Sequence, residues 1–277
     1  MLGLVGIPKK IEKVVIPAAG SGTRFYPLTR AQPKEMLPVL DKPVIHYVVE
    51  EAVKSGLKDI LIVIGHGKDS IVDYFDKHPL DSFHSEFDID DIPEIYFVRQ
   101  REPKGLADSI RYAEKFTGDD PFVVLLGDTI YRSKSNLTTT SQMLEAYAKE
   151  KKSMVMLEKV LEDKVRDYGI ISGSRRTDLV WDIDDVIEKP EPEEAPSLMG
   201  ITGTYILHPD IYPLIKKLEK GKNGEYQLSD ALKALAKQEK LVGYEISGER
   251  FDIGTKELWV KTFIEFARRD RRFKDLI

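Results

Sequence analysis

The sequence predicts an α/β fold, with a mostly parallel sheet flanked by helices. Two observations carry that prediction. Short apolar, β-branched runs recur through the first half, and stretches with helical spacing separate them. Such alternation is the pattern of a parallel sheet with helices on both faces. The runs are also apolar at successive positions, as strands buried from both sides are.

Lys13–Ala18 (KVVIPA) is the first run and leads into a glycine-containing loop. Pro43–Gly56 begins with proline, carries apolar residues at helical spacing and stops at glycine, so it predicts a helix. Asp59–Ile64 (DILIVI) is a second buried strand, Lys68–Asp76 a helix and Glu94–Val98 a third strand. Gly105–Phe116 predicts a helix, and Pro121–Leu126 (PFVVLL) a fourth strand that runs into Gly127-Asp128-Thr129. In the second half, Ser153–Val160 and Gly200–Leu207 predict strands on either side of a turn-rich, charged stretch. Glu188–Pro196 is too rich in proline for a regular element. Gln227–Gln238 and Thr255–Arg268 predict helices, with strand-like Val242–Ile246 and Arg250–Ile253 between them. No linker or repeat divides the 277 residues. One domain is expected, with a nucleotide-sized half over about 12–130, a completing half over about 150–255 and a C-terminal helix over 256–277.

Composition removes whole classes of function. There is no cysteine, which excludes disulfides, thiol catalysis, zinc ribbons and iron–sulfur clusters. Forty-two basic residues against 47 acidic ones leave a net charge of −5, which argues against a nucleic-acid or anionic-membrane binder. No apolar run is long enough for a membrane span, and Met1–Pro8 is expected to be an extension without the marks of a leader. A soluble cytoplasmic protein is the expectation. Residues 76–94 hold seven acids and two histidines without tight ligand spacing, which suits a solvated insertion better than a metal site. The strings Asp88-Ile89-Asp90 and Asp182-Ile183-Asp184 are taken as surface acids, and the basic tail from Arg268 to Lys274 as helix-end charge.

The strongest chemical signal is Ala18-Ala19-Gly20-Ser21-Gly22-Thr23-Arg24, directly after the first strand. Glycines there let backbone N–H groups approach an anion. Neither a dinucleotide fingerprint nor a Walker A loop fits, because Phe25 stands where a third glycine would and no Gly-Lys-Ser/Thr follows. Pro27 and Pro33 keep the segment extended, so that it brings Arg24 and Lys34 beside the glycines, two cations suited to a polyphosphate. Asp128 follows a buried strand, where an acid can hold magnesium over phosphates, and Asp252 stands in a similar setting. Sequence spacing alone does not bring those two acids together. Glu188-Lys189 could bind a sugar phosphate, although such a pair on a loop is commonplace.

Taken together these residues resemble the sugar nucleotidyltransferases, and within them the bacterial-type UTP–glucose-1-phosphate uridylyltransferases. The resemblance runs from about Lys13 to about Arg268. It rests on I-P-A-A-G-S-G-T-R-F (16–25), A-Q-P-K-E-M-L-P (31–38), D-K-P-V-I-H-Y-V-V-E-E-A (41–52) and V-R-Q-R-E-P-K-G-L-A (98–107), and then on L-L-G-D (125–128), Y-G-I-I (168–171), E-K-P (188–190) and G-E-Y-Q-L-S-D-A-L (224–232). It implies a Rossmann-like sheet with an appended sugar-binding portion. Ala18, Ala19, Gly20 and Gly22, with Arg24 and Lys34, would hold the nucleoside triphosphate, and Gln100 and Gly105 would read the pyrimidine edge. Tyr168 and Gly169 would line the sugar pocket, Glu188 would take the glucose hydroxyls and Lys189 the sugar phosphate. Asp128 and Asp252 would hold Mg²⁺. The implied substrates are UTP and glucose 1-phosphate and the products UDP-glucose and pyrophosphate, made by a homo-oligomer without nucleic-acid or membrane partners.

Departures from the pattern keep alternatives open. Thr129 stands where uridylyltransferases usually carry a second acid, and Gly105-Leu106-Ala107 and Phe251–Thr255 look more like the glucose-1-phosphate thymidylyltransferases. Since a methyl group supports only about 1–3 kcal/mol of discrimination, use of dTTP, or of both nucleotides, is the alternative reading. A non-catalytic sugar-nucleotide-binding subunit is the reading from another class; the presence of Arg24, Lys34, Asp128 and Lys189 weighs against it.

Overall fold

The computed structural model describes residues 10–76, 92–221 and 224–276. The extension Met1–Pro8 and most of the acidic stretch 76–94, including Asp88 and Asp90, lie outside the described residues. Along the chain the elements of the first half are β1 (Lys13–Ala18), β2 (Pro38–Val39), β3 (Lys42–Pro43), α1 (Val44–Lys54), β4 (Asp59–Ile64), α2 (Asp69–Phe75), β5 (Ile95–Arg99), α3 (Leu106–Arg111), α4 (Glu114–Thr117), β6 (Phe122–Leu125), β7 (Thr129–Ser133) and α5 (Thr139–Glu150). The second half continues with β8 (Ser153–Lys159), β9 (Gly169–Arg175), β10 (Val180–Glu188), β11 (Met199–Leu207), α6 (Ile211–Ile215), α7 (Leu228–Ala236), β12 (Leu241–Glu245), β13 (Gly248–Asp252) and α8 (Lys256–Arg269).

Nine strands form one sheet in the order β5-β4-β1-β6-β11-β8-β12-β10-β9. The first four run parallel, as their uninterrupted apolar sequences require. Beyond β6 the sheet is mixed: β11 is antiparallel to both β6 and β8, while β12 and β8 are parallel. Alternate side chains of β1 serve the two faces. Val14 and Ile16 pack with Ile45, Val48, Val49 and Ala52 of α1, whereas Val15 packs on the other side with Ala107, Ile110 and the α6–α7 pair. Burying each such side chain contributes about 1.5–3 kcal/mol, so the two helical layers and the sheet they cover stabilise one another.

Three local differences from the sequence reading have physical causes. The single helix expected over Gly105–Phe116 is two short ones. Tight bonds from Tyr112 N to Ser109 O and from Ala113 N to Ile110 O close the first before α4 begins. Second, the charged stretch before β11 contains the antiparallel ribbon β9–β10. A register shift between Ile183 and Asp185 puts an irregularity in the ribbon, which breaks the two-residue alternation by which β10 would have been found. Asp182 and Asp184 therefore lie within a strand. Third, α5 is started by Thr138, whose side chain accepts from Ser141 N at 3.0 Å and so caps a helix whose first turn is all threonine and serine.

Candidate active site

The glycine loop leaves the carboxyl end of β1, the usual ligand edge of a parallel sheet. Gly22 adopts a left-handed conformation (φ 64°), which a side chain would strain, and opens a tight turn over Thr23–Phe25. Phe25 is buried beneath that turn, and Thr29 Oγ1 donates to Gly22 O at 2.8 Å, so both ends of the loop are fixed. The chain then returns through a second turn, Lys34–Met36, whose Glu35 and Leu37 are buried. Between the two turns lies a cleft of about 190 Å³, lined by Ala19, Gly20 and Ser21 on one side and by Gly65–Lys68 and Gln100 on the other. Arg30, Lys34, Lys68 and Arg101 also line it, so the cleft is basic in a protein of net negative charge.

Lys34 is aimed by buried chemistry on either side of it. Glu35 and Lys68 form an ion pair at 2.7 Å, with side chains only 2% and 7% exposed. Burial pushes the Glu35 carboxyl up and the Lys68 ammonium down, and their mutual bond opposes both shifts. Lys34 itself is hydrogen-bonded to Asp128 Oδ2. Burial would lower its pKa, but Asp128, Glu35 and Asp252 together outweigh burial and hold it above its ordinary value. Lys34 is therefore a fixed cation across the working pH range.

Asp128 and Asp252, far apart in sequence, meet because β7 and β13 pair. Thr129 stands opposite Asp252 in that ribbon, and Ile253 N donates to Asp128 O at 2.9 Å. Burial first and the Asp128 charge second push the Asp252 carboxyl up, against the pull of Arg250 and Lys34. Two acids brought side by side, with the Lys34 ammonium set against one of them, make a locus that demands positive charge. Among the described residues no third acid or histidine joins them. A pair of this kind suits a divalent ion that keeps room for phosphate oxygens.

The remaining predicted residues gather at the end of the β9–β10 ribbon. Gly169 pairs with Glu188, and Lys189 N donates to Tyr168 O at 2.9 Å. Lys189 has a left-handed backbone (φ 47°), strain of about 1–3 kcal/mol that non-glycine residues keep mainly at working sites. Its side chain is 46% exposed, and the ammonium lies 3.3 Å from Glu188 Oε1.

Arg250, which the sequence reading did not single out, joins this group to the acids. It donates to Asp252 at 3.1 Å, to Glu158 at 2.7 Å and to the Tyr168 hydroxyl at 2.7 Å. The structure thus brings Lys34, Asp128 and Asp252 together and links them through Arg250 to Tyr168, and from there to Lys189. Gln100 enters the cleft from the end of β5, and the Gly105 carbonyl lies beside it. Ala18 is buried as the last residue of β1. Arg24 stands apart: it is exposed on the outer turn and does not line the cleft. Sequence alone offered one sign of Arg250, its position two residues before Asp252 on a strand, where both side chains share a face.

A glycine loop at a parallel strand's end, a basic cleft and an acid pair tied to it through Lys34 define an enzyme that handles the phosphates of a nucleotide. The chain belongs to the nucleotidyl transferase family, whose model matches residues 13–267. A Staphylococcus saprophyticus protein named UTP–glucose-1-phosphate uridylyltransferase 2 is 41% identical over 96% of each chain. The Bacillus subtilis UTP–glucose-1-phosphate uridylyltransferase YngB is 42% identical, over 90% of this chain and 86% of that one. Among solved structures, a UDP-glucose pyrophosphorylase complexed with UDP-glucose matches with a TM-score of 0.89 and 38% identity, covering 94% of this chain and all of that one. The family generally uses a divalent metal. Among the described residues no helix is long and apolar enough to cross a membrane.

Proposed function

We propose that this nucleotidyltransferase moves the uridylyl group of UTP to glucose 1-phosphate, giving UDP-glucose and pyrophosphate. The observation that carries this reading is the continuous set of contacts from Lys34 through Asp128, Asp252 and Arg250 to Tyr168 and Lys189. It joins a triphosphate-sized basic cleft to a second anion site, as a reaction between two phosphates needs. The relatives' names supply the two substrates.

The sugar phosphate attacks the α-phosphorus in line and pyrophosphate leaves. An anionic phosphate oxygen is already a nucleophile, so the protein needs no general base. Its task is to hold two mutually repelling anions together and to neutralise the charge that develops between them. Backbone N–H groups of Ala18–Gly22 bind the triphosphate and Lys34 lies against it, while Arg24, exposed on the outer turn, reaches the phosphates only by swinging inward. Gln100 and Gly105 hold the base. Glu188 accepts from the glucose hydroxyls, the Tyr168-Gly169 backbone shapes the pocket, and Lys189 meets the sugar's phosphate. Asp128 and Asp252 would hold Mg²⁺, which when bound offsets phosphate charge. Lys34, hydrogen-bonded to Asp128, would set its own positive charge against the nucleotide's phosphates beside that ion.

The β5-β4-β1-β6 half carries the nucleotide and the β9–β10 ribbon the sugar, within one domain. Outward-facing Leu258 and Val260 on α8 support a homo-oligomer, while Ala267 of the same helix is buried within the chain itself. The lack of cysteine and the substrates support a cytoplasmic enzyme. Use of dTTP beside UTP is the second reading, supported by Gly105-Leu106-Ala107. Pyrophosphate release with UTP and dTTP, each against the 1-phosphates of glucose, galactose and N-acetylglucosamine, tests the assignment. UTP with glucose 1-phosphate is expected to be fastest, and no release with any pair rejects it.

A further inference from the structure

Gln100 is only 4% exposed, yet it lines the cleft. Its side-chain nitrogen donates to Asp108 Oδ2 at 2.7 Å and also lies 3.4 Å from Gly105 O. Asp108, in the first turn of α3, sits behind it: it is 2% exposed and does not line the cleft. The other Asp108 oxygen accepts from Arg111 Nη2 at 2.6 Å and from Nε at 3.1 Å. A carboxylate held by a guanidinium can only accept, so it can face only the NH₂ end of the Gln100 amide. Turning the amide over would set its oxygen against the buried Asp108 carboxylate with no hydrogen between them, at a cost of about 1–3 kcal/mol or more. With both hydrogens directed at Asp108 and Gly105, what the amide offers to a ligand is its carbonyl oxygen.

We propose that Asp108 is a positioning residue that makes Gln100 a fixed acceptor, so that the cleft selects pyrimidines carrying an N3–H. Uracil and thymine have that donor. Cytosine has an acceptor at N3 and would meet the Gln100 carbonyl with a lone pair. The inference rests on the uridylyl-transfer reading and sharpens it: this contact excludes cytosine and does not sense the 5-methyl group, so UTP and dTTP pass it alike. A site built on a directed hydrogen bond rejects the mismatched partner far more strongly than an apolar pocket rejects an added methyl.

The test is pyrophosphate release with glucose 1-phosphate and each of UTP, dTTP and CTP, by the wild-type enzyme and by the Asp108→Asn and Arg111→Lys variants. Asparagine can donate as well as accept, so it frees the Gln100 amide to turn. Asp108→Asn is expected to lower the UTP-to-CTP ratio of kcat/KM by about tenfold or more, through a higher KM for UTP. Its kcat at saturating UTP should stay within about twofold, and dTTP should follow UTP. Arg111→Lys, which keeps a cation on the outer Asp108 oxygen and leaves the bond between Asp108 and Gln100 in place, should keep the wild-type ratio. An unchanged ratio in folded Asp108→Asn overturns the inference alone. If that variant does not unfold cooperatively, Asp108→Ser is judged by the same ratio. No release by the wild-type enzyme with UTP defeats the proposed function, and this inference with it.

Discussion

Arg250 donates to the Tyr168 hydroxyl at 2.7 Å while its guanidinium carbon lies 5.1 Å from the centre of the same ring. One side chain thus holds a tyrosine at both its polar end and its face, and reaches Asp252 and Glu158 as well. Because the Arg250 side chain is almost buried, removing it strands two carboxylates. Arg250→Met is expected to lose about 1.5–3 kcal/mol of stability in urea unfolding, as for hydrogen bonds to charged groups, and to raise KM for glucose 1-phosphate. A variant as stable as wild type with unchanged kinetics would show that the bridge does nothing.

Asp128 and Lys189 should separate in kinetics. Asp128→Ala is expected to cut kcat by about 100-fold or more at any magnesium concentration, since it removes charge compensation at the reacting phosphate. Lys189→Ala should instead raise KM for the sugar phosphate by about tenfold, equivalent to ~1.4 kcal/mol of binding. Near-normal turnover by Asp128→Ala would sink the metal assignment.

The Glu35–Lys68 pair makes a prediction about stability. Lys68→Met leaves Glu35 buried without its partner and should cost about 3–5 kcal/mol, whereas the double variant Glu35→Leu/Lys68→Met should recover much of that loss. Equal losses in the single and double variants, measured by denaturant midpoints, would contradict it.

His46 sets an acid limit. Burial first, and then the Lys42 charge, push its imidazole down to about 4; Glu50 and Asp41 oppose them and Lys54 adds to them, while Nδ1 lies 2.9 Å from the Tyr74 hydroxyl. Between that value and the ordinary 6.5 the unfolded chain binds the proton and the folded one does not. The neutral imidazole's contribution is complete above about pH 6.5 and is lost as pH falls toward 4, up to about 3 kcal/mol. His46→Gln should flatten the stability–pH curve across that window; an identical slope in both proteins would refute the account.

Much of this was legible in the sequence because the chemistry there is local. The β1 run, the glycine loop and Lys34 lie within one segment, and its glycines and prolines carry their own geometric meaning, whereas Arg24, expected beside Lys34, stands outside the cleft. The meeting of Asp128 with Asp252 was not legible, because it depends on the register of β7 against β13. Arg250 and Asp108 escaped notice for a related reason. Each acts through a neighbour brought to it by folding, and a lone arginine in a short strand, or an aspartate in a first helical turn, has commonplace explanations. Asp108 and Arg111 do stand three residues apart on one helix, but that spacing describes any surface ion pair. The β9–β10 ribbon was hidden by the irregularity near Asp184, and α5 by a first turn without apolar residues.

The seam where β11 pairs with β6 has a mechanical consequence. It stitches the strands that aim the glycine loop and those that aim Glu188 into one hydrogen-bonded frame. A molecule framed in this way works as a jig and not as a jaw: the spacing between the two anion seats is cut when the chain folds. Adjustment on binding is then left to the side chains and loops at the sheet's rim, Lys34 foremost among them.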